Sequence, residues 1–262
     1  GKSTSLAAML DLRNEQKSGH ILTLEDPVEF IFRNKKSIVN QREVGSDTKS
    51  FEVALKNALR QAPDCILIGE IRDKQTMGMA LAYAQSGHLT LATLHANNSY
   101  HAMNRIISFY PLENRPTLLL DLSAALQAII SQRLVRTKTG ARKAAVEVML
   151  NTRHISELIE KGDINEIKEA MEKSMAPGSQ TFEQSLFKMF MEGLITQDEC
   201  MTNADSPTNM LWLINQATAG DITGHMPAIA PGEEKKDEKK EGILANTGQG
   251  ASFREFKIDA NA

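Results

Sequence analysis

Gly1-Lys2-Ser3-Thr4 puts a glycine, a lysine and two hydroxyls at the start of a stretch with helical spacing, STSLAAMLDLRNEQ. This is how the second half of a phosphate-binding loop reads. Free backbone N–H groups and the positive end of the helix dipole favour phosphate there; Lys2 would reach the β and γ phosphates, Ser3 would ligate Mg²⁺ and Thr4 would touch the α-phosphate. A strand and the first half of the loop are expected to precede Gly1. Downstream, HILTLE ends in Glu25 and runs on through Asp26-Pro27-Val28 to Glu29, DCILIGE ends in Glu70, and HLTLATL runs into His95. If these apolar runs are parallel strands, each delivers a polar group to the rim of carboxyl ends where α/β sheets bind ligands. Phosphoryl transfer from ATP needs charge neutralised and a water held in line. Glu70 can hold Mg²⁺ through water and Glu29 can orient or deprotonate the attacking water, although chain order permits the reverse assignment. His95 is placed to sense the γ-phosphate. His88 lies seven residues earlier, at the other end of the same strand, so the two histidines cannot form a two-ligand metal site. For His88 a catalytic role and a hydrogen-bonded structural role both stand.

The elements that must position these groups alternate. The helix from Ser3 closes on Gly19, HILTLE is a strand, and SFEVALKNALRQAP is an amphipathic helix with Ser50 as N-cap and Pro63 beyond its end. DCILIGE is a buried strand, TMGMALAYAQSG a helix, HLTLATL a strand, and SYHAMNRIISFYP a helix that stops at Pro111. Strands apolar on both faces and separated by helices predict an α/β fold with a parallel sheet covered on both sides. Beyond about residue 110 helices dominate, and RLVRT and KAAVEVML are read as a hairpin around Lys138-Thr139-Gly140. The expected organisation is a core over 1–150, a helical subdomain over 151–219 and a disordered charged tail over 220–262 that contains EEKKDEKKE.

Composition narrows the classes. The 262 residues suffice for one sizeable domain with smaller pieces, and a net charge of −3 gives no global attraction to nucleic acid or an anionic membrane. Two cysteines, Cys65 and Cys200, form neither a disulfide framework nor a zinc site and fit a reducing cytosol. The longest apolar stretch, LLLDLSAALQAII, is interrupted by Asp121 and Gln127 and is shorter than the roughly 18 residues of a membrane span. Arg60 and Arg72 could carry inter-subunit or phosphate contacts, but for these two and for Arg33 and Arg42 a surface ion pair is the favoured reading, and none is read as catalytic. The twelve methionines fall among Ala and Leu at helical spacing and read as core.

In order along the chain, GKST, ILTLEDPVEF, DCILIGEIRD and GHLTLATLH resemble the Walker A end, Asp box, Walker B and His box of the type IV pilus motor ATPases of the secretion-ATPase superfamily. Within that family the sequence resembles the retraction motors (PilT/PilU), and more the accessory PilU type, on LHANNSYHAMNRIISFYP, EVMLNTRHISELIEKG, GSQTFEQSLF and NADSPTN. The likeness extends to about residue 213. It implies a RecA-like P-loop core, ATP and Mg²⁺ as cofactors, and a cytoplasmic homohexamer peripheral to the inner membrane of a bacterium. Such a hexamer would turn a platform protein and contact the main retraction motor, without nucleic acid or membrane insertion. An upstream PAS-like domain is expected, and residues 1–262 alone are expected to hydrolyse ATP poorly. RHISELIE, where the main motor carries a different signature, leaves a second reading: a structural accessory with little turnover. Extension and secretion motors carry a four-cysteine zinc module, which two cysteines cannot build.

Overall fold

The computed structural model describes residues 1–218; the charged run and the rest of the expected tail lie outside them. The chain builds α1 (Lys2–Gln16), β1 (Gly19–Glu25), β2 (Ser37–Glu43), α2 (Phe51–Ala58), β3 (Cys65–Ile68), α3 (Lys74–Gln85), β4 (Leu89–Ala92), α4 (Ser99–Ser108) and α5 (Arg115–Ala125). There follow β5 (Ala128–Arg136), β6 (Arg142–Leu150), α6 (Arg153–Lys161), α7 (Ile167–Glu172), α8 (Phe182–Met191), α9 (Gln197–Asn203) and α10 (Pro207–Thr218). It is the expected α/β fold: β1 to β4 form one parallel sheet in the order β2-β1-β3-β4.

The two central strands are buried because their alternate side chains meet apolar layers on opposite faces. Leu22, Leu24, Ile66 and Ile68 enter a cluster with Leu55, Met77 and Met103 from α2, α3 and α4. Ile21, Cys65 and Leu67 meet Leu10 of α1. Each such side chain, fully buried, contributes about 1.5–3 kcal/mol. Burial pushes the Cys65 thiol up to about 11, so it packs as a small apolar group. Ser50, Asp73 and Asn98 accept backbone N–H bonds at the starts of α2, α3 and α4, which fixes where those helices leave the sheet.

Three elements differ from the sequence reading. β2 was not expected: it pairs with β1 along its full length after the loop 26–36, without an intervening helix, and as an edge strand it mixes exposed Ile38 with polar Asn40, Gln41 and Glu43. β4, the other edge, is only partly covered, with Leu89 exposed. The stretch Ala128-Ile129-Ile130 belongs to strand, because α5 stops at Ala125 and β5 starts at Ala128. The hairpin turns where expected, with Gly140 at φ +84°, a conformation other residues seldom adopt.

From residue 151 on, the helices divide between two cores. Ile155, Leu158 and Ile159 of α6 and Ile167 and Met171 of α7 join the cluster beneath the sheet. Phe182, Leu186, Cys200, Met210 and Ile214 form a second cluster with Val135 and Ala145 of the hairpin. Glu147 ties the hairpin to the sheet domain: it is buried and accepts the Ser99 N–H at 2.6 Å, at the positive end of α4. Burial pushes its carboxyl above the ordinary 4.5, with the Ser99 bond opposing. The folded state therefore holds this proton at pH values where the unfolded chain releases it, and stability falls as pH rises from 4.5 through the raised value. Glu147→Gln, which keeps an acceptor for Ser99, is expected to remove that slope, so that its melting temperature gains on the parent over the pH range from 4.5 upward. A difference constant over that range in thermal melts would refute it.

Candidate functional site

The start of α1 carries no side-chain cap and opens onto a cleft with room for about 190 Å³, at the carboxyl ends of β1, β3 and β4. Lys2, Ser3, Glu25, Asp26, Glu29, Glu70 and His95 all line it. Five of the expected site residues are joined by direct contacts. Ser3 Oγ donates to Glu29 Oε1 at 2.9 Å. Lys2 Nζ donates to the Leu94 carbonyl at 3.3 Å and lies 3.3 Å from His95 Nδ1. His95 Nε2 meets Glu70 Oε1 at 2.9 Å. These contacts suit the ring tautomer protonated at Nε2, donating to Glu70 and accepting from Lys2.

Local backbone bonds set this arrangement. Gly69 N–H donates to the Leu24 carbonyl at 2.7 Å, Ile71 N–H to the Thr93 carbonyl at 3.0 Å, and Thr93 Oγ1 to the Gly69 carbonyl at 2.5 Å. The ends of the three strands are thereby laced together immediately before Glu70 and His95. A Cβ on Gly69 would meet the Leu24 carbonyl oxygen at 3.1 Å and Glu25 Cα at 3.2 Å, both backbone atoms that cannot swing aside. Gly69→Ala is expected to push β3 off β1, lowering the melting temperature by about 5 °C, roughly the shift for a 2 kcal/mol overpacking loss, and displacing Glu70. Thermal melts would check it; an unchanged midpoint would show the strand ends to be slack.

The loop 26–32 that carries Glu29 is held by β2. Gln41 donates to the Phe30 carbonyl at 2.8 Å and accepts the Phe32 N–H at 2.9 Å, and Glu43 accepts the Val28 N–H at 3.0 Å. Sequence reading missed both residues because it missed the strand. Arg72 is the exposed ion-pair residue expected, and its partners belong to the cleft: Nε donates to Glu70 Oε2 at 2.7 Å and Nη1 lies 3.7 Å from Asp26. The Glu70 carboxylate raises the Arg72 pKa further above its ordinary value.

Gly1 caps α1 beside Gln132 of the hairpin, and Thr4 is exposed and does not line the cleft. His88 does not line the cleft. It precedes β4 at the end away from the cleft, edge-on to Tyr83 at 5.4 Å, with Nδ1 3.1 Å from the Tyr83 carbonyl and 3.1 Å from Ser86 Oγ. Its bonds lie at the end of α3, as the hydrogen-bonded reading expected. Arg33, Arg42 and Arg60 are absent from the cleft lining.

The residues present fit a nucleotide with Mg²⁺: an uncapped helix start, an ammonium, a hydroxyl and four carboxylates face one cleft. Among the described residues no group of three His, Cys, Asp or Glu side chains is arranged to hold a metal alone, and no helix is long and apolar enough to cross a membrane.

Comparison with known proteins gives a consistent set. Residues 1–144 match the family described as Type II/IV secretion system protein. The chain is similar to the type IV pilus ATPase PilU of Pseudomonas aeruginosa, 48% identical over 233 residues that cover 88% of this chain and 61% of that one. The type IV pilus retractation ATPase PilT of the same organism is 42% identical over 209 residues, 80% of this chain and 61% of that one. A crystal structure of the pilus retraction motor PilT with bound ADP superposes with a TM-score of 0.75 at 43% identity, covering 80% of this chain and 59% of the other. The chain thus spans about three fifths of the length of these relatives.

Proposed function

The chain belongs to the Type II/IV secretion system protein family, and from that premise we propose that the full-length protein is a Mg²⁺-dependent ATPase that powers or assists type IV pilus retraction. The observation that carries this is the convergence of Lys2, Ser3, Glu29, Glu70 and His95 on one cleft at the sheet's carboxyl edge. Similarity to PilU and PilT supports the pilus context.

In this reading Gly1 to Thr4 and the start of α1 hold the phosphates, and Ser3 and Glu70 would hold Mg²⁺, Glu70 through water. The metal supplies neutralising charge for the transferring phosphoryl group. Binding must exchange partners within the network: Lys2 turns from Leu94 and His95 to phosphate, and Ser3 turns from Glu29. The second exchange frees Glu29 to orient a water. His95, released by Lys2 but still against Glu70, is placed to respond to the γ-phosphate. The same reading divides the chain into a core over 1–150 and a helical subdomain over 151–219, although α6 and α7 pack into the core's cluster and the hairpin into that of α8 to α10. It further includes a cytoplasmic homohexamer at the inner membrane that contacts a platform protein and the main retraction motor.

The test is phosphate release by the full-length protein with Mg²⁺ and with excess EDTA, beside Lys2→Ala. Release is expected only from the parent with Mg²⁺, with Lys2→Ala reduced about a hundredfold or more, the scale of losing one transition-state charge contact. Equal release in all three would overturn the assignment.

A further inference from the structure

Resting on the reading of Glu70 as a working carboxylate in ATP hydrolysis, we propose that Arg72 is its positioning residue, setting the direction of the Glu70 carboxylate and tying it to the loop that carries Glu29. The two oxygens of Glu70 have separate keepers. Oε1 receives His95 Nε2–H at 2.9 Å and Oε2 receives Arg72 Nε–H at 2.7 Å. With both oxygens held from opposite partners, the carboxylate plane is fixed, and its remaining lone pairs are left for a water or a hydrated cation.

Arg72 is able to impose this because its own backbone is anchored. Ile71 is buried and bonded to Thr93, and Asp73 caps α3 by accepting the Thr76 N–H at 2.7 Å. The guanidinium thus leaves a short, pinned connector and reaches two strand ends at once, Glu70 after β3 and Asp26 after β1. Its side chain is 58% exposed, so as an isolated ion pair it would contribute little to stability. Its consequence lies in orientation: Glu70 is only 18% exposed, and near it Glu25, Asp26 and Glu29 line the same cleft. Without a cation between β1 and β3, Glu70 would swing away from Asp26. A lysine would keep the charge but lose the fork that reaches both acids.

The experiment measures steady-state ATP hydrolysis, ADP binding and thermal midpoint for the full-length parent, Arg72→Ala, Arg72→Lys, Glu70→Gln and the double variant Arg72→Ala/Glu70→Gln. Arg72→Ala is expected to lower kcat about 10- to 30-fold with KM and ADP affinity within about threefold, an effect on the reacting geometry and not on binding. Arg72→Lys should recover part of that loss. The double variant should be no slower than Glu70→Gln, because a residue acting through Glu70 has nothing left to position. A kcat for Arg72→Ala within twofold of the parent, a loss that adds in full to that of Glu70→Gln, or a kcat loss matched by equal losses of ADP affinity and thermal midpoint, would overturn the role. A parent that releases no phosphate would instead overturn the ATPase reading on which the role rests.

Discussion

Glu29→Gln and Glu70→Gln are expected to separate the two carboxylates by the size and the Mg²⁺ dependence of their losses. The one that takes the water's proton should lose about 10²- to 10⁴-fold in kcat, because an amide keeps the shape but has no basicity. The one that holds hydrated Mg²⁺ should lose less and recover in part as Mg²⁺ is raised. Geometry favours Glu29 as the base. Its partner is the Ser3 hydroxyl, which in the proposed reading would leave for the metal on nucleotide binding, whereas Glu70 would stay engaged by His95 and Arg72. The two swaps also differ locally. A glutamine at 29 can still turn its oxygen to Ser3. At 70 the amide NH₂ must face a donor, either His95 Nε2–H or Arg72 Nε–H, so Glu70→Gln also loosens the carboxylate's surroundings. The checks are single-turnover hydrolysis and nucleotide titration across a Mg²⁺ series. Both variants within about twofold of the parent would remove these residues from the chemistry.

The rim of this site was legible in the sequence because its groups follow short apolar runs, and a buried parallel strand leaves few other places for the next polar residue to go. HILTLE, DCILIGE and HLTLATL each became a strand of the sheet, and Glu29, Glu70 and His95 met in one cleft. What stayed hidden depended on partners distant in sequence. β2 shows no alternation because its edge position exposes Ile38 while Gln41 and Glu43 turn to bond the loop 26–32. Arg72 stands two residues from Glu70, a spacing common to surface ion pairs; only the placement of His95 and Asp26 around it reveals a carboxylate held on both oxygens. His88 could not be placed by spacing either, since its partner is Tyr83, whose carbonyl it meets where α3 ends.

Phe182→Ala is expected to be the most destabilising single truncation in the second core, about 3–5 kcal/mol, or roughly 10 °C in melting temperature. Phe182 is fully buried at the start of α8, where Thr181 and Gln184 close a reciprocal capping box that fixes the helix entry. Its ring does more than fill volume. Arg133 stacks over it, with Cζ 4.0 Å from the ring centroid, and the held guanidinium donates to the Asn203 carbonyl at 2.6 Å and pairs with Asp205. Asp205 in turn accepts from Asn98 at 2.9 Å, the residue that caps α4 just beyond His95. Truncation would therefore leave a cavity and also release a charge whose burial depends on the stack. Phe182→Leu keeps most of the volume but not the π face, so it should lose about 1–2 kcal/mol, and the gap between the two variants measures the cavity. Urea denaturation of both would decide: an alanine variant within about 1 kcal/mol of the parent would mean that the hairpin and α8 to α10 hold together without this ring.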